Sequence, residues 1–111
     1  MKRYGSIIGV HKSQVAAYRT LHRAVWPGVS QMIRRCHIRN YSIFLRRVAG
    51  RHYLFSYFEY TGGNFTADMK KMAADPLTQQ WWDLCLPYLI PLPDRKKGQR
   101  WADMVEVFHQ D

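Results

Sequence analysis

The stretch His52–Tyr60, "HYLFSYFEY", has no wet side. In an extended chain Tyr53, Phe55 and Tyr57 point one way and Leu54, Phe58 and Tyr60 the other. A strand with one face in water alternates apolar with polar residues, whereas this one carries aromatic rings on both faces. It therefore reads as a strand of a sheet covered on both sides, by helices on one and by a second subunit or a ligand on the other. With 111 residues the chain makes one domain, residues 1–111, large enough to bury roughly two-thirds of its extended surface. A composition of 47% hydrophobic, 14% aromatic and 23% charged residues is that of a folded globule, not a disordered chain.

The other elements order themselves around that strand. Lys2 to Val10 is rich in Tyr and Ile and reads as a strand. Ser13 is a plausible N-cap for a helix running to about Val25. Pro27 ends or kinks that helix near Trp26 and suits the first position of a second segment, Pro27 to Arg35. "NYSIFLRR" (40–47) is the next strand, joined to the aromatic one by "VAGR", with Gly50 as the turn residue. After "TGGN", Asn64 caps a helix over "FTADMKKMAA", Asp75-Pro76 interrupts it, and "LTQQWWDLCLPYL" continues. "PYLIPLPDRKKGQR" reads as a long surface connection. "ADMVEVFH" (102–109) reads as a last strand, Met104, Glu106 and Phe108 alternating against Val105 and Val107. The order βαββαβ is an α+β fold of the ferredoxin-like kind.

Charge and cysteines narrow the partners. The net charge of +9 gathers in "IRRCHIR" (33–39), "LRRVAGR" (45–51) and "DRKKGQR" (94–100), which invites an anionic partner, although arginines around turns also serve solubility. Cys36 and Cys85 are far apart with no CxxC pair, as in a cytoplasmic protein with two reduced thiols. No apolar run approaches the roughly 20 residues of a membrane span, and "MKRYGSIIGV" lacks a signal-peptide pattern.

The chemistry-bearing residues concentrate in "AAYRTLHRAVWPGV" (16–29), where Tyr18, His22 and Trp26 recur at steps of four. Such steps keep them on one slowly drifting helical face, with Arg19 and Arg23 pointing elsewhere. A lone histidine among apolar neighbours is commonly structural, so the ladder alone leaves core and catalytic roles open. There is no HExxH, and the remaining histidines lack ligand spacing; no nucleophile motif or phosphate-binding glycine loop is present. Trp81 and Trp82, adjacent on a helix, lie about 100° apart. One can pack inward while the other lines a cleft. The fold order also fits an RNA- or single-strand-binding module. "RHYLFSYF" (51–58) agrees with that domain's strand motif at Arg51, Tyr53, Phe55 and Phe58 but fails at His52, Leu54 and Ser56. A dimeric oxygenase or haem-binding relative of the same fold is a third reading.

Taken together, "YRTLHRAVWPGV" (18–29), "NYSIFL" (40–45), "LFSYFEY" (54–60), "DPLTQQWW" (75–82) and "MVEVFH" (104–109) resemble the L-rhamnose mutarotase family over nearly the whole chain. The resemblance implies a ferredoxin-like fold forming dimeric α+β barrels. It makes His22 the proton-donating catalytic residue and Tyr18, Tyr41, Trp81 and Trp82 the sugar contacts, with no metal or organic cofactor. The implied reaction interconverts the α and β anomers of a 6-deoxy-L-hexose, L-rhamnose first and L-fucose second. It opens the ring, rotates C1 and recloses it. A histidine titrating near neutrality can both deliver and remove the protons this requires. The implied partners are a sugar and a second copy of the chain, with neither nucleic acid nor membrane.

Overall fold

The structure, a computed structural model, describes all residues from Met1 to Asp111. Its elements are β1 (Lys2–Val10), α1 (Val15–His22), α2 (Pro27–Arg35), β2 (Ile38–Val48), β3 (Arg51–Tyr60), α3 (Phe65–Ala74), α4 (Pro76–Cys85), β4 (Leu89–Ile90) and β5 (Ala102–Met104). The sheet runs β2-β3-β1-β4, with β5 also on β1, and every pairing is antiparallel. The aromatic strand β3 is thus interior, between β1 and β2, and the ferredoxin-like order holds with each expected helix split in two. No helix is long and apolar enough to cross a membrane.

Local chemistry accounts for most boundaries. Val48 pairs with Arg51 across the two-residue turn Ala49–Gly50, and both turn residues have positive φ, 51° and 80°. This is the primed geometry whose twist matches a hairpin, and glycine is the residue that adopts it without strain. Gly9 answers a different need, since a Cβ there would lie 2.8 Å from the Ile90 carbonyl oxygen of β4. Asn64 caps α3 by accepting from the Ala67 amide at 3.1 Å, and Asp75 caps α4 by accepting from the Thr78 amide at 3.0 Å. Such caps contribute about 1 kcal/mol each.

Four expectations are corrected. Ser13 caps nothing; it sits inside a 3₁₀ turn, Lys12–Gln14, and α1 begins without a side-chain cap. α1 ends at His22, not Val25. Trp26 is extended (ψ 132°) ahead of Pro27, because the proline ring disfavours helical backbone in the residue before it. The unwinding passes through i→i−3 bonds from Arg23 to Thr20 and from Ala24 to Leu21. The "surface connection" contains β4, which pairs with Gly9 and Val10. The last strand stops at Met104: Val105, Val107 and Phe108 are 86, 93 and 76% exposed. Their alternation fits a strand, but the backbone pairing stops at Gly5 and Met104 although β1 runs on to Lys2, and beyond it Arg3 meets Glu106 through their side chains, 3.0 Å apart.

The helices cover one face of the sheet. Three rows cross its centre there, set by the β1–β3–β2 register. One holds Ile8, Leu54 and Leu45. The next holds Ser6, Ser56 and Ile43, and beyond it Tyr4 lies opposite Phe58. Ile8, Val10, Leu54 and Tyr18 form one core cluster, and Cys36, Ile38, Tyr60 and Met72 a second. Val29, Trp81 and Cys85 form a third between α2 and α4. The opposite face carries Phe44 against Phe55, with Tyr53 and Tyr57 half-buried beside them.

Candidate active site

His22 occupies the last turn of α1, and its position follows from that helix's early end. Its Nδ1 lies 2.9 Å from the Tyr18 carbonyl oxygen one turn back. A carbonyl only accepts, so Nδ1 carries the proton and the neutral ring presents a free lone pair at Nε2. The Tyr18 ring stacks on the imidazole at 3.9 Å between centroids, and Trp81 of α4 meets the imidazole edge-on at 5.2 Å. Trp26 in turn packs edge-on against Trp81 at 5.2 Å. The ladder of Tyr18, His22 and Trp26 is therefore one aromatic box closed by Trp81, although its last rung lies outside the helix.

Burial sets the protonation states. It pulls the His22 pKa below the ordinary 6.5, against a smaller opposing effect of the bond to the Tyr18 carbonyl, so the imidazole is neutral at neutral pH. Burial also pushes the Tyr18 phenol well above its usual range, with further upward pushes from Tyr41 and Cys85. The Cys85 thiol rises to about 11 for the same reason. Tyr41 stands at the bulge where the β2–β3 register shifts, between Arg39 and Ser42. The residue as a whole is 43% exposed, yet protein surrounds its phenol end and raises it to about 12, with Cys85 again contributing. Each phenol feels the other or the same thiol. Burial thus holds Tyr18, Tyr41 and Cys85 as neutral, proton-bearing groups.

Trp81 is 5% exposed in the helix-side core. Trp82 is half-buried and packs against both that cluster and the one around Ile38 and Tyr60. One tryptophan does pack inward, and it is that one which touches the histidine. The structure thus unites Tyr18, His22 and Trp81 directly, sets Trp82 one position along α4, and places Tyr41 against Phe58, with ring centroids 5.6 Å apart. A cleft of about 540 Å³ opens beside Tyr41, lined also by Ser30, Ile33, Arg34, Asn40 and Glu59. None of Tyr18, His22, Trp26 and Trp81 lines it.

Cys85 was not foreseen as a site residue. Its sequence signal is its place four residues after Trp81, on the same face of α4. Both cysteines are free and buried. No three His, Cys, Asp or Glu side chains converge to hold a metal ion; His37 with Asp68, 3.1 Å apart, is a two-member pair on the surface.

An antiparallel α+β sheet with an imidazole held in an aromatic box between sheet and helices defines the class of protein. Comparison with known proteins makes it particular. The model of the L-rhamnose mutarotase family matches residues 3–110, and the chain belongs to that family, an enzyme family of the isomerase class. It is 32% identical to an L-rhamnose mutarotase of Bacillus subtilis and 29% identical to one of Lactiplantibacillus plantarum, with 100% of each chain covered in both. The fold matches the crystal structure of an L-rhamnose mutarotase from Formosa agariphila, with a TM-score of 0.76 at 22% identity and full coverage of both chains. It also matches tetracenomycin F2 cyclase from Streptomyces glaucescens, with a TM-score of 0.64 at 14% identity and full coverage; that likeness concerns the fold alone.

Proposed function

We propose that the protein interconverts the α and β anomers of a 6-deoxy-L-hexose, L-rhamnose first and L-fucose second, with His22 as the general acid and base. The observation that carries this reading is the Nδ1–H bond from His22 to the Tyr18 carbonyl. It fixes the tautomer and leaves Nε2 as a proton acceptor in the resting, neutral state. Nε2 takes the proton of the anomeric hydroxyl as the bond between C1 and the ring oxygen breaks, and the resulting imidazolium delivers it to that ring oxygen. Both oxygens are bonded to C1, so one nitrogen serves both transfers. After rotation about the C1–C2 bond the steps reverse, the proton balance is zero, and the anomer has changed. Acid–base help of this kind contributes about 10²–10⁴-fold.

Tyr18 and Tyr41, whose phenols stay protonated, donate hydrogen bonds to sugar oxygens without giving up their protons. Trp81 and Trp82 offer indole surface to the C–H face of the ring and to the 6-methyl group. The two free cysteines fit a cytoplasmic protein.

The outer sheet face supports a homodimer. Phe44 is 62% exposed there, beside the half-buried Tyr53, Phe55 and Tyr57, an apolar surface that an isolated domain would leave in water. Closing this face against a second copy gives the dimeric α+β barrel.

Saturation-transfer NMR on each anomer of L-rhamnose and L-fucose tests the reaction. Exchange well above the buffer rate, greater for L-rhamnose, is the expected outcome; exchange at the buffer rate for both sugars overturns the reading.

A further inference from the structure

Between the row holding Ile8 and Leu54 and the row holding Tyr4 and Phe58, the helix-facing side of the sheet carries two hydroxyls. Ser6 of β1 and Ser56 of β3 are direct register partners, and their Oγ atoms lie 2.5 Å apart. Ser56 is only 5% exposed, and Ser6 is half-buried. Leu and Ile one row away are buried to within 2%, so this row had the same apolar option. Two hydroxyls carry two hydrogens, and the mutual bond uses one. Neither Oγ has another protein partner, which leaves one O–H donor and several lone pairs unassigned on a covered face.

Their position relative to the site follows from the rows. Tyr18 packs over Ile8 and Leu54, on one side of the serine row. Tyr41 packs against Phe58, with ring centroids 5.6 Å apart, on the other side. The serine row therefore lies between the row on which Tyr18 packs and the residue against which Tyr41 packs, on the helix side of the sheet.

We propose that Ser6 and Ser56 form the polar floor of the sugar site and together hydrogen-bond one ring hydroxyl of the bound pyranose, making that hydroxyl a determinant of specificity. The proposal rests on the mutarotase reading and adds to it an edge that reads hydroxyls, opposite the indoles that read C–H surface. The hydroxyl bound here supplies the acceptor missing from the pair and takes the lone pair of the other serine. A sugar lacking that hydroxyl leaves a buried donor unpaired, which discriminates far more strongly than a missing methyl group.

The test pairs variants with deoxy analogues. Exchange is measured against concentration for L-rhamnose and for its 2-deoxy, 3-deoxy and 4-deoxy counterparts, with wild type, Ser6→Ala and the double variant Ser6→Ala/Ser56→Ala. Removing both partners of a buried hydrogen bond is close to neutral for folding, and Ser6→Ala alone covers the case in which the double variant is unstable. In wild type, one analogue is expected to show a KM raised roughly tenfold over L-rhamnose. In the double variant that ratio should collapse to within about twofold, through a raised KM for L-rhamnose itself, with Ser6→Ala intermediate. A ratio that survives in both variants overturns the proposal and leaves the mutarotase reading standing. Wild type that exchanges none of the sugars overturns both.

Discussion

The two faces of the sheet are built from the same strands and yet have different fates. On the helix side of β3, Leu54, Ser56 and Tyr60 are 2, 5 and 5% exposed, and Tyr18 of the imidazole box packs in one cluster with Leu54. On the other side, Tyr53, Phe55 and Tyr57 are only half-buried and Phe44 is 62% exposed. The sequence is as aromatic on one face as on the other. Apolar patterning alone therefore does not single out the candidate site. What sets the inner face apart is polar chemistry inside the covered space: a histidine with a fixed tautomer, two phenols held protonated, and a pair of serines.

The largest effect that could break this comparison is at His22. His22→Asn keeps polarity but cannot carry a proton, and should lower catalysed anomer exchange by about 10²–10⁴-fold with the melting temperature little changed. Exchange near the wild-type rate, measured by saturation transfer on the same folded sample, would move the proton chemistry to Tyr18 or Tyr41. Trp81→Ala comes next, removing a core residue that also walls the box. A destabilisation of about 3–5 kcal/mol in urea melts is expected, against under about 1 kcal/mol per chain for Phe44→Asp on the outer face in the monomer.

Phe44→Asp should instead act on assembly. Wild type is expected to scatter light as about twice 13.2 kDa, and the variant should fall toward the single-chain mass. A wild-type chain that stays monomeric at micromolar concentration would leave the outer face without its partner. Smaller again is Tyr18→Phe: the ring still stacks on His22, one hydroxyl is lost, and a cost of roughly 0.5–1.5 kcal/mol in kcat/KM is expected.

The pH dependence is the finest test. His22 has a folded pKa below its unfolded value of 6.5 because burial disfavours the charged ring. The unfolded state therefore binds more protons in that window. Stability should rise with pH from the folded pKa up to about 6.5 and stay level above it, as far as this residue is concerned. As a resting base, the neutral ring should give a kcat/KM that climbs through the same lowered pKa and then holds a plateau. His22→Asn should flatten this part of the stability profile. A kcat/KM that falls as pH rises through this range would mean that the protonated ring is the working form.

Much of this architecture could be read in advance from local physics. The proline after Trp26 set the start of α2 at Pro27, Asn64 and Asp75 fixed two helix starts through their side-chain oxygens, and Gly50 marked the hairpin. The resemblance carried by the motifs pointed to Tyr18, His22, Tyr41 and the two tryptophans. The misreadings were those in which a residue pattern fitted an element whose backbone took another course. Ser13 looked like a cap until a 3₁₀ turn enclosed it. "ADMVEVFH" alternates as a strand should, but its pairing with β1 ends at Gly5 and Met104 although β1 runs on to Lys2, and side-chain alternation carries no information on where backbone pairing stops.

What the sequence by itself determined is the set of elements and the two-sidedness of β3, because helical and extended periodicities, caps and proline act over a few residues. What only the tertiary structure decided is which groups meet. The β1–β3 register put Ser6 opposite Ser56, the β2 bulge set Tyr41 against Phe58, and the approach of α4 to the end of α1 brought Trp81 to His22. Register, bulge and helix approach are settled by packing between residues tens of positions apart, and no local pattern carries that information.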